Sequence, residues 1–462
     1  MKALLLNVPL RPGSKQVYPP IGLAHIATAI QKSNHAVEIL DLELTMMSAS
    51  EVAREVKKLN PDVVAMGCIV TGYRYIKDLC RAIKDVTKAP IVVGNTVASS
   101  VPEILLKKTE ADIVVFAEGD ETIVDLLDVL EAGDSLSNVA GIAYLEKGEY
   151  VQSIERPLID DLNEIPFIDW SLWDLDTYLH RSREVVSEPY PMARDKIRAM
   201  PINTARGCPF RCSFCYHAFW DKKYRVRSPE RIAEEIKALK DNYGVNYILF
   251  GDELTFFSKK QCAHFATTIL DAELNMPWTA VCRSDLFTVG DEELVALLKE
   301  AGCIGLGYSL ESANEKILQA MNKRLSPNTF AEQTKVLSEG GLSCWTSLVI
   351  GHPLETPDTI AETFELCRQS GIYPSTGYLL PFPGAPIYED AKEMGLIGDE
   401  EDYLLSLGDR QELHLNLTAL SDEELVGKTL EECRKTANAL GIDLPEKKLI
   451  KTGYYRSKKK TQ

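Results

Sequence analysis

Over the first 150 residues, continuous apolar runs alternate with segments in which apolar positions recur every three or four residues. The runs Ala3–Val8, Ala36–Leu42, Asp62–Cys68, Pro90–Val93 and Asp112–Ala117 read as buried strands. The segments Ile21–Ser33, Ser50–Leu59, Tyr75–Val86, Val101–Lys108 and Glu121–Ala132 read as amphipathic helices. Strands apolar on both faces, each followed by a helix, predict a doubly wound parallel sheet. A hairpin over Gly141–Val151, turning at Lys147-Gly148-Glu149, closes the unit.

Between 151 and 199 the alternation stops. Pro157, Pro166, Pro189 and Pro191 stand among acidic residues, Trp170 and Trp173, as in a linker that packs through its aromatics. From 200 to 395 the alternation resumes. Strands are predicted at Ile202–Ala205, Tyr247–Phe250, Trp278–Cys282, Ile304–Ser309, Ser343–Ile350 and Thr376–Leu380, separated by helical patterns. Six strands in this length fit a partial (β/α)6 barrel, since a full eight-stranded barrel takes about 250 residues. Residues 396–462 read as a short helical region with a basic tail, Lys447–Lys460, expected to be a solvated end.

The chain has 462 residues, net charge −17 and 45% apolar residues. The acidic balance speaks against a non-specific nucleic-acid or anionic-membrane binder. No run is long enough to span a membrane, and the start, Met1–Pro9, reads as a strand rather than an export signal, so a cytoplasmic protein is expected. Eleven cysteines in such a chain do not suggest disulfides. Cys68, Cys80, Cys262, Cys282, Cys303, Cys344, Cys367 and Cys433 lie apart in apolar stretches and read as small core residues.

Cys208, Cys212 and Cys215 are different, with spacing C-x3-C-x2-C in a loop directly after the first strand of the second half. In a parallel barrel that is the carboxyl-terminal mouth, where chemistry sits. Three crowded thiolates call for a metal. A zinc ion could add His217 as a fourth ligand. A 4Fe–4S cluster could take the three thiolates and leave one iron open.

The loop, with Phe214 before the last cysteine, resembles the signature of the radical S-adenosylmethionine (SAM) superfamily. The resemblance implies that Cys208, Cys212 and Cys215 hold the cluster, that SAM ligates its open iron, and that reductive cleavage yields a 5′-deoxyadenosyl radical. It extends to later strand ends. Gly251, Asp252 and Glu253 stand where the family binds the SAM amine, and Arg283 where it contacts the SAM carboxylate or ribose. Glu311 closes the fourth strand, while Ser347 and Ile350 lie on the fifth, whose backbone meets the adenine.

The N-terminal sheet resembles the Rossmann-like cobalamin-binding domain of the cobalamin-dependent branch. Pro19–Ala24 looks like its opening pattern, and Glu118–Thr122 its Gly-rich stretch, with Ala117 in place of the usual first Gly and Asn95 in place of another. The implied cobalamin contacts are Val70, Thr71, Gly72, Tyr73, Gly94, Asn95, Thr96, Glu118 and Gly119. Neither His25 nor His35 stands in D-x-H-x-x-G, so the cobalt's lower side is not expected to take a histidine. The corrin is expected to face the barrel mouth.

The resemblance implies methylation of an unactivated carbon: the deoxyadenosyl radical removes a hydrogen and methylcobalamin supplies the methyl. Tyr216 and Tyr308 are the candidate catalytic residues, with His217, Trp220, Trp345 and Tyr378 as further substrate contacts. The acceptor could be a small molecule, a lipid or a peptidyl residue, such as one in methyl-coenzyme M reductase. The electron would come from a flavodoxin or ferredoxin. The alternatives are a cyclase or oxidoreductase with the same cofactors, and a zinc-stabilised binding protein.

Overall fold

The computed structural model describes residues 1–9, 17–186, 190–217 and 224–450. Trp220 and most of the basic tail lie outside them. The chain forms two compact units. One comprises Met1–Arg181 and the later return segment Ile397–Gly408; the other holds the described residues of 182–217, 224–396 and 409–450.

The first unit is built on a seven-stranded sheet. Its strands are β1 (Lys2–Asn7), β2 (Ala36–Asp41), β3 (Val63–Gly67), β4 (Ile91–Gly94), β5 (Ile113–Val115), β6 (Ile142–Glu146) and β7 (Glu149–Gln152). They lie in the order β2-β1-β3-β4-β5-β6-β7; the first five are parallel and the hairpin β6–β7 is antiparallel. Ala3 to Leu6 are fully buried, as the apolar runs require. The helix Ala49–Leu59 starts at a capping box formed by Ser48 and Glu51. The Trp-containing linker folds onto this unit: Trp170 and Trp173 are buried, and the Tyr178 hydroxyl donates to Asp41 (2.7 Å) and accepts from Asn7 (2.8 Å).

The strand-end stretch after β4, for which no helix was predicted, forms the helix Asn95–Ser100. Asn95 enters it at φ 66°, a left-handed conformation that asparagine tolerates.

In the second unit β8 (Ala199–Ile202), β9 (Tyr247–Phe250), β10 (Trp278–Val281), β11 (Cys303–Gly307) and β12 (Ser343–Trp345) form a parallel sheet in that order. The fifth strand continues past Thr346 as β13 (Ser347–Ile350), which pairs in parallel with β14 (Ser375–Tyr378). A bridge from Glu311 to Leu348 links the two sheets. This is the partial six-stranded barrel. β8 begins three residues earlier than expected and runs through Pro201; as the sheet's edge strand, β8 tolerates the missing donor. Helices cover the outer face. Trp278 packs there against Phe250, Phe256 and Phe265 with ring centroids 5.4–6.0 Å apart. Among the described residues, no helix is long and apolar enough to cross a membrane.

Candidate functional site

The cysteine loop leaves β8 through Asn203, Thr204 and Ala205, and Asp252, from the end of β9, fastens this exit. Its carboxylate accepts from the backbone N–H of Thr204 (2.7 Å) and Ala205 (3.0 Å), and from the hydroxyls of Thr204 (2.6 Å) and Thr255 (3.0 Å). Burial pushes its pKa up against the pull of these bonds. Asp252 is therefore engaged by the chain itself. Its neighbour Glu253 is exposed at the strand end, and its carboxylate has no hydrogen-bond partner among the described residues. Gly251 is also exposed, and its carbonyl accepts from Asn203.

Beyond the exit, the loop lies on the turn that follows the helix Glu315–Ala320. Ser213 N–H donates to the Met321 carbonyl (2.9 Å), and the Asn322 amide to the Arg211 carbonyl (2.7 Å). Ile387 N–H donates to the Ser213 carbonyl (3.0 Å). Arg283, at the end of β10, braces the assembly. Its guanidinium lies 3.8 Å from the centre of the Phe210 ring, donates to the carbonyls of Lys323 (2.7 Å) and Arg324, and pairs with Asp285 (2.9 Å). Arg283 thus holds the loop in place.

Cys212 is buried; Cys208 and Cys215 are partly so. Burial raises the pKa of all three thiols; for Cys215 the charges of Cys212, Glu311 and Cys208 push the same way, while Lys323 opposes. The thiols therefore share one neighbourhood. Among the described residues, however, they do not converge tightly on the position of a single metal ion. A cluster suits that donor set, because it takes each thiolate on a separate iron and leaves a fourth iron for another ligand.

Glu311 is buried at φ 64° and takes the cation of Lys323 at 3.0 Å. Ser347 shares a hydrogen bond with Ser309 (2.7 Å), and the Ile350 carbonyl accepts from Leu379 (2.7 Å). Glu355, after β13, is buried with no cationic partner among the described residues, and burial lifts its pKa to about 7. It accepts from Thr359 (2.6 Å) and Gly351 N–H (3.3 Å).

The aromatic candidates separate. Tyr308 is buried, donates to Thr334 (2.9 Å) and meets Phe330 edge-on, both on the outer helix Pro327–Glu339. That side chain points away from the barrel interior, which removes it as a catalytic candidate. Trp345 lies over Gly305 and Gly307, where an added Cβ would approach its ring within 2.7 and 2.1 Å. Tyr378 is buried beside Thr429 and Cys433 of the C-terminal helix. Tyr216 and His217 remain with the partly exposed end of the cysteine loop. Lys323 was missed from sequence, because a lysine in a turn between two helices carries no pattern that marks it.

In the first unit, the loops after β3 and β4 are stitched together. Val70 N–H donates to Thr96 Oγ1 (3.2 Å) and Val97 N–H to the Cys68 carbonyl (3.1 Å). Thr71 is half-buried beside them. Tyr73 is fully buried and donates to Glu401 of the return segment (3.0 Å), so its side chain is occupied within the unit. Glu118 accepts from Ile159 N–H (2.8 Å), and a Cβ at Gly119 would meet Ile26 at 2.9 Å. Gly94 differs, because a Cβ there would meet nothing within 4 Å. Asn95 and Ala117, the two replacements of expected glycines, both keep left-handed backbones, at φ 66° and 51°. For alanine that conformation costs about 1–2 kcal/mol. The open face at Gly94 between these two turns fits a bulky ligand approaching the strand ends. His35 is bound to Asp128 (3.0 Å) and the Met1 amine (3.0 Å).

Comparison with known proteins supplies the context. Residues 202–367 match the family described as the Radical SAM superfamily, and residues 13–127 match the B12 binding domain. An uncharacterized methyltransferase of Pyrococcus horikoshii is 29% identical over 399 residues, covering 85% of this chain and 83% of the relative. The anaerobic magnesium-protoporphyrin IX monomethyl ester cyclase of Cereibacter sphaeroides is 26% identical over 398 residues, covering 84% of this chain but only 62% of the cyclase. Among solved structures, the radical S-adenosylmethionine methyltransferase TsrM of Kitasatospora setae, with cobalamin and a [4Fe-4S] cluster bound, superposes with a TM-score of 0.68 at 18% identity. That match covers 86% of this chain and 78% of TsrM.

Proposed function

This chain belongs to the cobalamin-dependent branch of the radical SAM superfamily, and we propose that it is a methyltransferase acting on an unactivated carbon. Its cofactors are a 4Fe–4S cluster, SAM and cobalamin. When bound, they supply an electron, a hydrogen-abstracting radical and a methyl group. The single observation that carries the reading is the pairing of a B12 binding domain with a radical SAM barrel in one chain, shared along most of its length with a methyltransferase relative.

In this reading Cys208, Cys212 and Cys215 ligate the cluster. The Asp252 bonds and the Arg283 brace keep their loop at the barrel mouth. Glu253, whose carboxylate is uncommitted, receives the SAM amine, while Ser347 and the Ile350 backbone border the adenine. Glu311 is paired with Lys323. The β3 and β4 loops, from Val70 to Gly72 and Gly94 to Thr96, receive cobalamin largely through backbone and shape. Tyr73 ties the end of the β3 loop to Glu401, and Glu118 and Gly119 hold the turn after β5 against Ile159 and Ile26. Tyr216 borders the acceptor, which is a small molecule, a lipid or a peptidyl residue. A low-potential carrier such as flavodoxin or ferredoxin delivers the electron, in the cytoplasm, where the eleven free cysteines remain reduced.

A second reading, a cyclase without net methylation, has the magnesium-protoporphyrin cyclase relative in its favour. Incubation with SAM carrying a deuterated methyl group separates the two. Methylation places that methyl on the acceptor; an acceptor altered without the label establishes the second reading.

A further inference from the structure

The turn that carries the cysteine loop also carries a buried cation. Lys323 is 9% exposed and its ammonium lies 3.0 Å from a Glu311 carboxylate oxygen, itself in a residue 5% exposed. Burying two charges costs several kcal/mol per ion in desolvation, which their attraction often only balances, so such a pair is weak evidence for stability. This pair has particular neighbours. The turn that holds Lys323 is hydrogen-bonded to the cysteine loop, through Ser213 N–H to the Met321 carbonyl (2.9 Å) and the Asn322 amide to the Arg211 carbonyl (2.7 Å). Both partners are fixed by backbone. Lys323 offers its carbonyl to Arg283 (2.7 Å) and its N–H to the Leu318 carbonyl (2.9 Å). Glu311 donates its N–H to Ser347 (3.1 Å) and accepts from Val349 N–H (3.2 Å).

We propose that Lys323 and Glu311 are opposed fixed charges that set the reduction potential of the cluster on the three cysteines. The proposal rests on the reading of that loop as a cluster site. Reduction adds one negative charge to the cluster. A buried cation stabilises the added electron and a buried anion destabilises it, with little screening by water or salt. Lys323 therefore raises the potential and Glu311 lowers it, and neither needs to touch SAM or the acceptor. They are positioning charges rather than catalytic residues.

The test compares the full-length protein with Lys323→Met, Glu311→Gln and the double variant, each reconstituted anaerobically with iron and sulfide and titrated by EPR-monitored reduction. The expected order is a more negative potential for Lys323→Met, a more positive one for Glu311→Gln, and a return towards wild type when both charges are gone. Lys323→Arg keeps the charge and the wild-type potential, and it carries the test with Glu311→Gln should Lys323→Met fail to fold. A purely structural role predicts changes in iron content or melting temperature with one common potential. That result, in variants holding a full complement of iron, overturns the proposal. A wild-type protein that takes up no iron would instead overturn the reading of the loop.

Discussion

The strand ends of the two units present different chemistry. In the N-terminal sheet they are small and close-fitting: Gly72 packs on Cys68, Gly119 on Ile26, and the β3 and β4 loops exchange hydrogen bonds. At the barrel's strand ends charge gathers, with Glu253, Arg283, Glu311 and Lys323 around the cysteine loop. The difference is what the chemistry asks of each. A large, preassembled cofactor can be held by shape and backbone, whereas a cluster that changes charge and a zwitterionic SAM call for fixed charges nearby.

Substitutions can break this contrast, and the largest effect belongs to the cysteines. Alanine at Cys208, Cys212 or Cys215 should abolish the broad visible absorbance and the iron content of the reconstituted protein while hydroxocobalamin binding persists. Loss of both together would show that the two strand-end systems are not separate. Asp252→Ala comes next. It orphans two backbone donors and two hydroxyls at the loop's exit, and should cost about 4 kcal/mol in denaturant unfolding of the apoprotein, with Asp252→Asn costing less.

Glu355 gives a pH signature. Its folded pKa of about 7 lies above the unfolded carboxyl value, so the folded state holds the proton more tightly. Its contribution is greatest at and below the unfolded pKa and falls as pH rises through the folded one. Between about pH 4.5 and 7 the wild type should lose about 3 kcal/mol relative to Glu355→Gln. Parallel unfolding curves for the two proteins across that range would contradict it.

The smallest stability effects test the sheet. Gly72→Ala would place a Cβ 2.1 Å from Cys68 Sγ and should cost about 2 kcal/mol. Gly94→Ala meets no atom and should leave the melting temperature unchanged while weakening hydroxocobalamin binding, because the open space is the ligand's. Unchanged cobalamin affinity in Gly94→Ala would move the ligand elsewhere on the unit.

Much of this organisation was legible in the chain. Strand and helix positions followed from continuous apolar runs and 3.6-residue periodicity, because both faces of each central strand are buried. Where the reading failed, a tertiary contact outweighed a local signal. The strand expected at Ile202–Ala205 lies at Ala199–Ile202 and runs through Pro201, which an edge strand absorbs. After Gly94, a left-handed Asn95 starts a helix that no periodicity had marked. Tyr308 is one residue past the glycine-lined inner face, and alternation turns it outward. Asp252 and Arg283 have the residue types of ligand contacts, but backbone partners from distant segments take their hydrogen bonds. Lys323 had no signal at all, since its importance arises only when the turn and the cysteine loop meet.

The central claim is that one chain joins a cluster-bearing barrel to a cobalamin-binding sheet in order to transfer methyl groups. The most direct measurement is product analysis of the anaerobically reconstituted enzyme supplied with hydroxocobalamin, SAM, a low-potential reductant and a candidate acceptor it consumes. The account predicts S-adenosylhomocysteine and 5′-deoxyadenosine together, with an acceptor heavier by one methylene. 5′-Deoxyadenosine alone, with the acceptor altered but not methylated, would contradict it.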